Sequence, residues 1–146
     1  MKPTNPKDKA AVVAGRVPMA WFPDTVRIAG AMAFHEGACK YGRYNWRVEG
    51  VLASVYRNAL DRHMAAWWNG EDLDPDSGLP HLWKALSCLA VMIDATECGT
   101  LTDDRPPSAP VAVMLDRLKA DVLAIQERLS AYDPHQFTRA DDARRP

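Results

Sequence analysis

The sequence predicts an all-α protein, a compact bundle of about four helices with an extended N-terminal arm and a flexible C-terminal tail. Three observations predict it. Apolar residues recur at helical spacing in separate segments, no segment keeps the strict alternation of a half-buried strand, and Gly, Pro and Asp cluster between the segments. The length of 146 residues suits one core, and we expect residues 21–131 to form a single helical domain.

Residues 1–20 carry Pro3, Pro6, Pro18 and several lysines with no period, which reads as an extended arm. "PDTVRIAGAMAFHEGACKYG" then reads as a first helix, capped by Asp24 or Thr25, with Val26, Ala29, Ala33 and Gly37 near one stripe. Gly42 supplies its C-terminal stop. A second helix is expected over about 51–69, with Val55, Leu60, Met64 and Trp67 on one face and Tyr56, Ala59, His63 and Ala66 beside it. "NGEDLDPDSGLP" breaks it. A third helix over about 80–97 sets Leu82, Leu86, Leu89 and Ile93 on one side and His81, Ala85, Cys88 and Met92 on another; being apolar almost all round, it belongs at the centre. A fourth is expected to start at Ser108 as cap, with Pro110 in its first turn. Its stripe of Val111, Met114, Leu115, Leu118, Val122, Ile125 and Leu129 suits either closing the bundle or pairing with a second copy, so a homo-oligomer stays open. Residues 132–146 read as a loose tail.

Composition narrows the function. Hydrophobic residues make up 47% and charged residues 25%, and the formal net charge is -1. No overall basic field argues for long nucleic acid, although a small anion needs only a local positive patch. No apolar run approaches the ~20 residues that span a bilayer, and "MKPTNPKDKA" lacks the apolar core of a signal peptide. Cys39, Cys88 and Cys98 are odd in number and scattered, which suits reduced thiols in a cytoplasm.

Two stretches carry chemistry. "KYGRYNWR", residues 40–47, mixes rings and cations as a nucleotide site does: aromatic faces stack on bases, and Lys or Arg hold phosphates. The loop between the second and third helices offers Glu71, Asp72, Asp74 and Asp76, bracketed by His63 and His81. Hard divalent cations take oxygen ligands, and Mn2+ tolerates an imidazole, so His63, Glu71, Asp76 and His81 are candidate ligands for Mg2+ or Mn2+. The plainer reading of the same loop is solvated turn material, with Asp76 or Ser77 capping the next helix. Arg62 offers a guanidinium for phosphate beside the His63 imidazole, or else pairs with a surface carboxylate. Asp94, within an apolar helix, either has a buried partner or metal or lies exposed near the helix end.

The order "NPKD", "VP", "KYGRYNWR", "RH", "GED", "DSGLPHL", "IDA" and "DDRP", from Asn5 to Pro106, resembles the phage and bacterial dATP/dGTP diphosphohydrolase family. The resemblance implies hydrolysis of a purine deoxynucleoside triphosphate to the monophosphate and pyrophosphate, similar in activity to the all-α, Mg2+- or Mn2+-dependent MazG-type pyrophosphohydrolases. In some phages such an activity supplies dGMP for modified-purine DNA, which would place the protein in a host cytoplasm. For such a reaction, our own reading of the loop gives Glu71, Asp76 and His63 catalytic and metal roles, with His81 as a further ligand. Lys40, Arg47 and Arg62 would neutralise the triphosphate. Tyr41 and Trp46 (or Trp67) would stack on the purine, and Asn45 would hydrogen-bond a base edge or the sugar. A non-catalytic nucleotide sensor is the alternative: it would use the octet without a metal loop.

Overall fold

The computed structural model describes residues 15–144. The chain divides into two compact units, with the boundary between Thr102 and Asp103. Of the expected arm, residues 1–14 lie outside the described part; Met19–Trp21 form one 3-10 turn.

The first unit holds α1 (Asp24–Tyr41), α2 (Asn45–Glu49), α3 (Ala53–Trp68) and α4 (His81–Glu97), with two short strands, β1 (Val51–Leu52) and β2 (Leu101–Thr102). The fold is all-α apart from this pair, which runs parallel with Val51 opposite Leu101 and Leu52 opposite Thr102. Sequence reasoning ran Val51 and Leu52 into the second helix, but their backbone pairs with the strand that follows α4. Gly50 makes the approach possible: its φ is 75°, and a Cβ there would sit 3.0 Å from the Thr100 carbonyl oxygen.

Helix α4 is central, packing most extensively on α3 and next on α1. Its buried face is the small-residue side: His81, Ala85, Cys88, Val91 and Ala95. The leucine side stays more open, with Leu82, Leu89 and Ile93 exposed. Small side chains let the helices approach closely, which is why α1 also buries only Ala29 and Ala33. Trp46, Val91 and Ala95 form a small core, closed by Phe34, Val51, Tyr56 and Leu101.

Helix ends differ from the expected caps. Pro23, Pro80 and Pro110 occupy the N-cap positions of α1, α4 and the last helix, and none makes a side-chain cap bond. Proline fixes φ near the helical value and has no N–H to satisfy, so it starts these helices without Asp24, Ser77 or Ser108. Asp24 lies in the first turn of α1, where its charge suits the helix N-terminus. Gly42, at φ 85°, ends α1 as expected. The octet's second half is a short helix, α2, preceded by Tyr44 in the left-handed region at φ 59°.

The second unit contains α5 (Val111–Leu129), a 3-10 turn (Ser130–Tyr132) and a second one (Arg139–Asp141) closed by a Thr138 capping box. The tail is therefore locally ordered around Thr138 and Asp141. No helix among the described residues is long and apolar enough to cross a membrane.

Candidate active site

A cleft of about 630 Å3 opens between α1, α2, α3 and α4. Glu36 lies on its α1 wall, one helical turn before Lys40, and both Lys40 and Lys84 of α4 form ion pairs with it. Lys40 also reaches Asp76 of the acidic loop at 3.3 Å. Burial alone would raise the Glu36 carboxyl; the hydrogen bonds and charges of Lys40 and Lys84 outweigh it and hold the pKa below the usual value. The same Glu36 hydrogen bond raises Lys40 above its ordinary range despite the opposing effect of desolvation. Tyr41, Asn45, Tyr56 and His63 add to the polar and aromatic lining, with Phe34, Trp46, Glu49 and Ser87 beside them. Burial raises the Tyr56 hydroxyl, with smaller contributions from Cys88 and Tyr41.

The acidic loop is organised by its own contacts. Asp74 accepts from Ser77 Oγ at 2.8 Å and from the Asp76 backbone N–H at 3.2 Å, and the His81 N–H donates to the Asp72 carbonyl at 2.9 Å. Burial would raise the Asp74 carboxyl, but these two donors, with His63 and His81, lower it. His81 is buried, its Nε2 2.8 Å from Glu71 Oε1 and its Nδ1 2.9 Å from Nδ1 of His63. His63 then stands at the cleft wall with its pKa lowered, first by burial and further by His81, Lys84 and Arg62, against the pull of Asp74.

The four expected metal ligands do not share one centre. His63, His81 and Glu71 form a hydrogen-bonded chain, whereas Asp76 turns to Lys40. The two imidazole nitrogens, 2.9 Å apart, are hydrogen-bonded to each other as folded. Among the described residues, no group of three His, Cys, Asp or Glu is placed to hold a metal ion. Mg2+ or Mn2+ held by these residues would need Asp76 to leave Lys40 and join the two histidines.

The octet splits between two sites. Lys40, Tyr41 and Asn45 line the cleft. Arg47 forms two hydrogen bonds of 2.8 Å with Asp94, and its guanidinium lies 4.6 Å from the Tyr44 ring centre. With Arg43 and Tyr44 it lines a separate concavity of about 540 Å3. Trp46 is buried in the wall between, donating its Nε1–H to Asp94 at 2.6 Å and meeting Phe34 edge-on at 5.1 Å. Its ring packs in the core and borders both cavities. Hydrogen bonds from Arg47 and Trp46 hold the Asp94 carboxyl well below the usual carboxylate range, so the Asp within an apolar helix has found a partner. Arg62 is exposed on α3 and does not line the cleft.

Sequence reasoning missed Glu36, Lys84 and Tyr56 as site residues. Two signals were available: the four-residue spacing of Glu36 and Lys40, and Lys84 as the single cation in an otherwise apolar helix.

A family model described as dATP/dGTP diphosphohydrolase, N-terminal, matches residues 5–105. The chain belongs to this family. The matched region ends close to the boundary between the two units, so the family covers the cleft and leaves α5 outside. No match was found among curated proteins or among solved structures.

Proposed function

We propose that the cleft binds a purine deoxynucleoside triphosphate and hydrolyses it to the monophosphate and pyrophosphate. The family's description supports the substrate class. The observation that carries the reading is the meeting of Lys40 and Lys84 on one half-buried carboxylate in a cleft with two tyrosines.

Both lysines are compact point charges suited to phosphate oxygens. In the free protein Glu36 holds them. A triphosphate offers more negative charge and draws them off, which leaves the Glu36 carboxylate beside the phosphate chain. Glu36 then takes a proton from water as the water oxygen attacks the α-phosphorus. The bond to the bridging oxygen breaks, and pyrophosphate leaves with its charge on Lys40 and Lys84. Tyr41 and Tyr56 supply ring faces for the purine, and Asn45 a donor and an acceptor for its edge. The Glu71–His81–His63 chain orients the His63 imidazole on the cleft wall. Mg2+ or Mn2+ enters as the counter-ion of the triphosphate, part of the substrate rather than a resident ion.

The test is turnover of dGTP and dATP with Mg2+ or Mn2+, with products resolved as monophosphate plus pyrophosphate or diphosphate plus phosphate. Wild type is expected to give the first pair, and the folded Glu36→Gln, Lys84→Ala double variant to lose it. Full activity in that variant overturns the assignment. Nucleotide binding without pyrophosphate release would make the chain a sensor.

A further inference from the structure

We propose that α5 forms a parallel, in-register coiled coil with α5 of a second copy of this chain. The inference is independent of the cleft and of the family, whose match stops before this helix.

Val111, Leu115, Leu118, Val122, Ile125 and Leu129 follow one another in alternating steps of four and three. That spacing averages 3.5 residues and is the seam of a two-stranded coiled coil, narrower than the apolar face of a helix packed into a globular core. In heptad terms Leu115, Val122 and Leu129 are a positions, and Val111, Leu118 and Ile125 are d positions. Five of these six are exposed: Val111 by 61%, Leu115 by 65%, Val122 by 51%, Ile125 by 49% and Leu129 by 45%. No residue of α5 is buried. The helix thus carries a complete seam that its own unit leaves uncovered.

Length selects the occupant. A copy of α5 matches all six layers. The other stretch of the chain with this spacing is Leu82, Leu86, Leu89 and Ile93 of α4, which offers four. Leu86 there already packs against α1, 3.5 Å from where a Cβ on Gly30 would lie.

Charge selects the direction. In a parallel pair the flanking g and e' positions bring Met114 to Lys119 and Asp121 to Gln126, so no like charges meet. An antiparallel pair with the same layers would set Lys119 against Lys119 and Asp121 against Asp121, which is repulsive. Lys119 is meanwhile held at 2.6 Å by Asp116 of its own helix, on the side away from the seam.

Cysteine cross-linking of the full chain tests this. In a Cys39→Ser, Cys98→Ser background, Leu118→Cys and Ile125→Cys each place two thiols across a d layer. Both are expected to convert most of the chain to a covalent dimer in oxidised glutathione. Glu127→Cys, on the outer face, is expected to stay at least ten-fold less cross-linked. Adding Val122→Glu is expected to suppress the Leu118→Cys dimer while helical circular dichroism of the first unit persists. Absence of dimer for both d-layer cysteines, equal dimer for Glu127→Cys, or dimer that survives Val122→Glu overturns the proposal. A mixture of Leu118→Cys and Val122→Cys chains that forms only the mixed dimer overturns the parallel register. Sedimentation of the wild-type chain at twice its monomer mass supports the pair; a monomer or a trimer overturns it.

Discussion

Glu36 and Asp94 each lie on a helix and each pair with two strong donors, Lys40 of the octet 40–47 and Lys84 for Glu36, and Trp46 and Arg47, both of the octet, for Asp94. Glu36 faces two lysines, whose ammonium groups are free to move to another anion. Asp94 faces a bidentate guanidinium and an indole N–H that is part of the core, a fixed arrangement with no donor to spare. The difference lies in the cation and not in the carboxylate. Lysines make a pair that a ligand exchanges; arginine with tryptophan makes a brace. The brace in turn fixes α2 against α4, and α2 supplies Asn45 to the cleft.

Substitutions that affect one region and spare the other would sharpen this contrast. The largest effect is expected for Glu36→Gln: removing a proton acceptor at the reacting water costs about 100-fold or more in kcat, with a modest fall in Tm because the ion pairs with Lys40 and Lys84 are lost. Asp94→Asn comes next and acts oppositely. Leaving the Arg47 and Trp46 donors poorly matched costs about 1–3 kcal/mol of unfolding free energy by urea titration, while kcat measured well below Tm stays within a few-fold. A large kcat loss in folded Asp94→Asn would break the division. Lys84→Ala should raise KM for the triphosphate about ten-fold, the loss of one charged hydrogen bond, in steady-state assays. Arg47→Lys, which keeps charge but loses the fork, should cost under about 1 kcal/mol in stability and leave KM alone.

The smallest effect is in the pH dependence. His63 has a lowered pKa in the fold, so below about pH 6.5 the unfolded chain takes up a proton that the folded chain resists, and stability falls as pH drops. Glu36, Asp74 and Asp94 are lowered too, and their stabilisation, full at neutral pH, is lost at lower pH, below about pH 4. His63→Gln is expected to flatten the upper part of that fall and leave the acid part, read as Tm between pH 7 and pH 3.

Much of the fold was legible because it rests on local rules. Helical spacing located four helices, and Gly42 marked the end of the first. The small α2 escaped because five residues carry too little period to register. The strand pair escaped because its partners lie about fifty positions apart, and no local pattern announces a contact between Val51 and Leu101. The central place of α4 was legible, but not which of its two apolar sides is buried: close helix approach selected Ala85, Cys88 and Ala95 over the leucines. The site was half legible. Ring and cation types drew attention to residues 40–47, and Lys40, Tyr41 and Asn45 do line the cleft. Residue types alone do not show that Trp46 turns inward or that Asp76 answers a lysine rather than joining two histidines.

The parallel pairing of Val51 with Leu101 has one more consequence. It brings together the two ends of the segment that holds α3, the acidic loop and α4, so this half of the unit is a ring tied at its base. Force applied to the chain beyond Thr102 would pull on that knot before it reached the lysines.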